Sequence, residues 1–162
     1  MRKSFENEIQ ELKDQLFVLG NLVEQQLIES VEAFKKRDIE ASELIRDRDD
    51  EVNTRRFDIE ERVLITIATQ QPMARDLRLL ASILEVAGEL ERMGDYAKGI
   101  ATINIRMGKE EQLLTPLVNI PLMAKKCAEM LHQAVIAFVN EDADEAKAIP
   151  KMDDEIDNYY NL

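Results

Sequence analysis

The residues of this chain with the most chemistry in them are carboxylates set four apart on apolar helical seams. Asp49 falls between Ile45 and Val52, and Asp153 falls between Ile149 and Ile156. A carboxylate on an apolar seam needs a cation, a hydrogen-bond network or a metal, because desolvating it alone is costly. Residues i and i+4 share a helix face, so Asp49 with Asn53, and Asp153 with Asp157, each aim oxygens at one spot. Glu91 and Asp95 form a third such pair, flanked by Gly88 and Gly99, with Gly94 nearby. Small residues there leave room for a close neighbour or a ligand. Hard oxygen donors gathered at one level suit iron, manganese, magnesium or calcium, and zinc enters the same list. Two plainer arrangements compete with a metal: solvated charges on long helices, and neutralisation of the acids by Arg92 and Lys98.

Hydrophobic periodicity supplies the elements that must hold these residues. Phe5, Ile9, Leu12, Leu16, Leu19, Val23, Leu27, Val31 and Phe34 recur at spacings of three and four, which predicts a long amphipathic first helix. Gly20 inside it costs about 1 kcal/mol of helix propensity. Lys35-Lys36-Arg37 suits the last turn, and Asp38 can cap the next helix after a very short connection. A second helix is expected from Asp38 to Ala68 or Thr69, ended by Gln70-Gln71-Pro72. A third is expected from Pro72 to Met107, with one stripe through Leu79, Ile83, Val86, Leu90, Met93, Ala97 and Ile100 and a second through Leu77, Leu80, Leu84 and Ala87. Gly108 then caps it, a loop runs to Thr115-Pro116, and a fourth helix follows to Val139 with Pro121 early in it. After a turn at Asn140-Glu141-Asp142, a fifth helix runs to the C-terminus, kinked at Pro150.

If the second and third helices fold back at Pro72, residues equidistant from it lie level. Asp49 is 23 residues before Pro72 and Asp95 is 23 after, while Asn53 and Glu91 are each 19 away. The two polar pairs are therefore expected at one height of the bundle.

The chain also repeats itself. At an offset of 104 residues, Leu27, Val31, Ala33, Phe34, Asp38, Ile45 and Asp49-Asp50-Glu51 recur as Leu131, Val135, Ala137, Phe138, Asp142, Ile149 and Asp153-Asp154-Glu155. Val52-Asn53 becomes Ile156-Asp157. The unit is helix–helix–helix: residues 1–110 hold one full copy, and residues 111–162 hold two helices of a second. The expected fold is therefore all-α, an antiparallel three-helix bundle followed by two helices of an incomplete second repeat. The positions that would complete the second acidic set lie beyond Leu162. Apolar faces left open on the last two helices would favour a homodimer or a swapped helix.

Composition narrows the function. Hydrophobic residues make up 45% and charged residues 33% of 162, with no Trp and only nine Gly and Pro together, which argues against a β-rich, disordered or membrane-spanning chain. The formal net charge of -12 repels phosphate backbones and anionic lipid, so neither nucleic acid nor direct membrane insertion is expected. The single cysteine, Cys127, allows no intrachain disulfide and fits a reducing compartment. No signal peptide is legible at the N-terminus, and a cytoplasmic location is expected. A di-iron carboxylate enzyme would need Glu-x-x-His motifs from paired helices, and the single His132 lies far from the acidic pairs. No nucleophile–base set and no Gly-rich phosphate loop is present, so catalysis is not expected.

The run Gln70-Gln71-Pro72-Met73-Ala74-Arg75-Asp76-Leu77-Arg78, followed by Glu89-Leu90-Glu91-Arg92-Met93-Gly94-Asp95-Tyr96-Ala97, resembles the PhoU family of phosphate-uptake regulators. The resemblance covers nearly the whole chain and implies tandem three-helix bundles. It implies acidic motifs that bind multinuclear iron or other metals, with zinc, manganese or magnesium as options. Glu91-x-x-x-Asp95 and Asp153-x-x-x-Asp157 match that motif, and Asp49-x-x-x-Asn53 departs at its last position. It also implies a non-catalytic negative regulator, an adaptor between the ATPase subunit of the phosphate ABC transporter and a sensor histidine kinase. A metal-free helical scaffold, or an accessory protein of another phosphate transporter, remains the alternative.

Overall fold

The computed structural model describes residues 2–108 and 117–160, with side chains from residue 5 onward. Its elements are all helical: α1 (Arg2–Lys36), α2 (Ile39–Gln70), α3 (Arg75–Met107), α4 (Asn119–Val139), α5 (Ala143–Ala148) and α6 (Pro150–Tyr160). The expected loop to Thr115-Pro116 and a helix start at Pro116 lie outside the described residues. No helix among the described residues is long and apolar enough to cross a membrane.

Helices α1, α2 and α3 pack pairwise on one another as an antiparallel bundle, and α4 lies against α1. The α1 seam is the axis of the core: Leu12, Leu16, Leu19 and Val23 are fully buried against Val52, Ile59 and Val63 of α2 and Leu80, Ile83 and Leu90 of α3. The two apolar stripes of α3 turn out to be flanks of one buried face that runs Leu80, Ile83, Ala87, Leu90, Gly94, Ala97, Ala101, Asn104. Leu77 falls off that face and is 42% exposed. One boundary moves from the sequence expectation, and the expected kink at Pro150 takes the form of a break. Helix α3 starts at Arg75 and not at Pro72, because Gln71 (φ 48) and Ala74 (φ 49) take left-handed backbone and residues 71–74 form the turn. The last helical segment is divided, α5 ending at Ala148 and α6 starting at Pro150, where proline has no N–H to continue the ladder.

The internal repeat holds at the level of backbone geometry. Arg37 (φ 56) and Glu141 (φ 53), 104 residues apart, are both left-handed. Each is followed by an aspartate whose amide donates back five residues: Asp38 N to Ala33 O at 2.9 Å, Asp142 N to Ala137 O at 2.8 Å. This is the Schellman closure of a helix C-terminus, and the same aspartates then cap the next helix. The Asp38 side chain accepts from Ala41 N, and that of Asp142 accepts from Asp144 N and Glu145 N. Two hairpins of one design, α1–α2 and α4–α5/α6, are thus joined through their equivalent first helices.

That joint depends on a glycine and a carboxylate. A Cβ built on Gly20 would stand 2.9 Å from Cγ2 of Val135, so α4 lies where only glycine on α1 admits it. At the turn after α4, Glu141 accepts from Lys13 Nζ at 2.8 Å and from Arg75 Nη2 at 2.6 Å, tying α4 to both α1 and α3. The hydrogen bond from Lys13, then that from Arg75, hold the Glu141 carboxyl below its ordinary value of 4.5. A lowered carboxyl pKa contributes stability above the unfolded value and loses it as pH falls through the folded one. The clasp is therefore intact at neutral pH and weakens only on acidification below the ordinary carboxyl range, as pH falls through the depressed folded value. Replacing Glu141→Gln should flatten the acid limb of the melting-temperature profile; an unchanged limb would show that the clasp contributes nothing. Gly20→Ala should overpack the α1–α4 contact at about 1–3 kcal/mol, outweighing the about 1 kcal/mol of helix propensity gained. Faster amide exchange concentrated in α4 is the expected signature.

Candidate functional site

The acidic residues singled out above lie on α2, α3 and α6. Asp49 is 1% exposed, on the α2 face that packs against α3. It lies beside Gly94: a Cβ there would meet Val52 Cγ1 at 3.1 Å and Asp49 Oδ1 at 3.7 Å. Gly94 therefore serves a close helix neighbour, whereas Gly88 and Gly99 face open space. The fold-back places Asp49 between Gly94 and Lys98, so the expected level is right to within a turn.

The facing is not as expected. Asp49 points into the α2–α3 seam, while the side chain of Asp95 is 55% exposed. Between them stands Lys98, whose ammonium lies 2.7 Å from Asp49 Oδ2 and 3.9 Å from Asp95 Oδ1. Asn53 donates its amide to Asp49 Oδ2 at 3.1 Å and to the Asp49 carbonyl at 3.2 Å, so it acts as a donor to Asp49 and not as a co-ligand. Asp50, exposed at the next position of α2, adds its charge to the field on Lys98. Arg92 does not take part and pairs with Glu89 at 2.9 Å. Glu91 is half-buried one turn before Asp95. On α6, Asp153 and Asp157 are exposed, and Asp153 lies near enough to Cys127 that burial, then its charge, raise the thiol pKa.

The electrostatics follow. The hydrogen bond to Asp49, against partial burial, raises the pKa of Lys98 above 10.5, with Asp49, Asp95 and Asp50 adding through their charge. A raised lysine pKa contributes stability below the unfolded value and loses it as pH rises through the folded one, so the pair is fully formed across the neutral range. With two donors on Oδ2, the buried carboxylate has what a desolvated anion needs. As arranged, these side chains do not present a metal-binding group: among the described residues no three of His, Cys, Asp or Glu converge. A metal at Asp49 would have to take the place of the Lys98 ammonium. The lysine was visible in the sequence as a neutralising candidate; the signal that selects it is its position four residues after Gly94, the residue of α3 that packs closely on α2.

Comparison with known proteins agrees with this architecture. A family model for the PhoU domain matches residues 16–103 and 120–162. A phosphate-specific transport system accessory protein PhoU homolog from Aquifex aeolicus is 36% identical over 154 residues, spanning 95% of this chain and 69% of the relative. The corresponding PhoU protein of Escherichia coli K12 is 32% identical over 157 residues, spanning 96% of this chain and 64% of the relative. The crystal structure of PhoU from Pseudomonas aeruginosa superposes with a TM-score of 0.88 at 30% identity, covering 97% of this chain and 75% of that one. PhoU from Streptococcus pneumoniae gives 0.86 at 33% identity, covering 97% and 73%.

Removing the lysine tests the site. Lys98→Met should cost about 1–3 kcal/mol in urea unfolding, at the lower end because the Lys98 side chain is 38% exposed. Adding Asp49→Asn should recover part of that loss. Dialysis of the wild type against iron, manganese, magnesium or zinc should retain no metal that Asp49→Asn removes; retention that depends on Asp49 would show that the lysine yields to a cation.

Proposed function

The chain belongs to the PhoU family, and on that premise we propose that it is a non-catalytic accessory regulator of phosphate transport. The single observation that carries the reading is the match in sequence and in fold over nearly the whole chain to proteins named as phosphate-specific transport accessory proteins. In its finer form, the protein holds phosphate uptake and phosphate-starvation signalling down when phosphate is plentiful. It does so as an adaptor, touching the ATPase subunit of the phosphate ABC transporter and a sensor histidine kinase in the cytoplasm. Rigid, capped helices and a buried ion pair suit a scaffold that presents surfaces. The acidic surface fits basic patches on protein partners better than phosphate or lipid.

The lysine at Asp49 favours a version of this reading in which the adaptor works without metal at that position. Metal entering the family's acidic motifs then belongs to the pairs nearer the surface, half-buried Glu91 with exposed Asp95 and the exposed Asp153–Asp157, each of which offers two carboxylates. Expression in a host lacking its own PhoU protein should lower a phosphate-starvation reporter at high phosphate, and the chain should co-purify with the transporter ATPase and the kinase. A chain that folds, binds neither partner and leaves the reporter high would exclude the adaptor role.

A further inference from the structure

Helix α2 carries a second apolar face, turned away from the core. Phe57, Glu61, Leu64, Ile65 and Ala68 fall at i, i+4, i+7, i+8 and i+11, the spacing of one helix face, and all five are exposed. Phe57, Leu64 and Ile65 are 57%, 60% and 54% exposed. The face continues onto α3. Leu77, Leu84, Glu91 and Lys98 repeat at seven, so they share the flank that turns Lys98 to Asp49 of α2. Counting equal steps from the place where Val52 packs on Gly94 sets Leu64 within one residue of the level of Ala81, and Ala68 within one of Leu77. Leu77 and Ala81 are exposed too. This is not the flank of α3 that carries Val86, Glu89 and Met93 on the side of α4.

The charge of this face limits what can cover it. The cations of this half of α2 are already engaged: Arg55 pairs with Glu51 at 2.7 Å, Arg56 with Glu60 at 2.7 Å, and Arg62 with Glu8 of α1 at 3.1 Å. Asp58 and Glu61, beside and within the apolar stripe, are exposed and have no cation partner among the described residues. What remains on offer is apolar surface and two negative charges. A second copy of the face would set those carboxylates against one another, and anionic lipid would add to the same repulsion. A partner with apolar residues along one side and lysine or arginine beside them answers both features. Its shape follows from length: Phe57 to Ala68 spans about 16 Å, about three turns of helix. Phe57 is held ready as an anchor, because the Arg56 guanidinium, itself fixed by Glu60, stands over its ring at 5.1 Å from the centroid.

We infer that this face of α2 and α3 is a docking surface for a basic amphipathic helix of another protein. The inference gives the adaptor reading a surface and rests on it for a partner in the cell, yet the two fail separately. The probe is a labelled helical peptide about four turns long, with leucine along one side and lysine along the other, titrated with the intact chain by fluorescence anisotropy. The expected Kd is on the order of ten micromolar. Leu64→Gln and Phe57→Ala, both at exposed helix positions, should each weaken binding about tenfold with little change in melting temperature. Asp58→Asn combined with Glu61→Gln should weaken it several-fold at low salt and flatten its salt dependence. Ala146 lines a separate apolar groove between α3 and α4, so Ala146→Gln should leave binding unchanged, which locates the peptide. No binding, equal binding of a glutamate-for-lysine peptide, loss with Ala146→Gln in place of Leu64→Gln, or a concentration-dependent dimer that Leu64→Gln abolishes would each overturn the inference. A chain that binds the peptide but leaves the phosphate-starvation reporter high would strike the adaptor reading and not this surface. A chain that lowers the reporter but ignores the peptide would strike this surface and not the adaptor reading.

Discussion

The desolvated carboxylate of Asp49 sets the terms on which α2 and α3 can meet. It is 1% exposed on an apolar helix face, and its neutralising partner comes from the other helix, Lys98 at 2.7 Å. Breaking such a pair from one side leaves an uncompensated charge, so the two helices are held in one register rather than sliding along an otherwise greasy seam. Gly94 makes the approach close enough for the lysine to reach, with Val52 packed where a Cβ would be. Core packing above and below, Leu80, Ile83 and Leu90 against Val52, Ile59 and Val63, then locks in that register.

A second polar station closes the far end of the same bundle. Asn104 is fully buried and donates to the Ala33 and Asp38 carbonyls and the Ser42 hydroxyl, while Arg37 donates to its oxygen. It therefore joins the end of α1, the start of α2 and the end of α3 in one satisfied network, at the turn whose left-handed Arg37 recurs as Glu141. Polar groups at both levels are paired, which is what a long three-helix bundle needs to avoid alternative registers. The second hairpin reproduces the turn and the caps but has Ala134 and Ala146 where the first has Ser30 and Ser42. Its inner face is correspondingly more apolar.

The two halves of the structure are held in different ways. In the first bundle the buried charge of Asp49 is answered by Lys98 of α3, and the α1 seam is covered by α2 and α3. The second hairpin is anchored through α4 on α1 and through Glu141 to Lys13 and Arg75.

The sequence alone determined the helices, the Asp38 and Asp142 caps, the 104-residue repeat, the break at Pro150 and, to within a turn, the height of Asp49 against α3. Each of these follows from local rules, periodicity, capping chemistry and rise per residue, that act within one helix or one turn. It also placed Lys98 among the groups able to neutralise the acids. Tertiary structure decided which way those acids face and what answers them: Asp49 inward, Asp95 outward, Asn53 as a donor, and an ammonium between the two helices. An i,i+4 spacing says that two side chains share a face of one helix, but the identity of the partner depends on the rotation of two helices about their own axes. That rotation is set by the whole buried interface, down to the missing Cβ of Gly94, and no short stretch of sequence contains it.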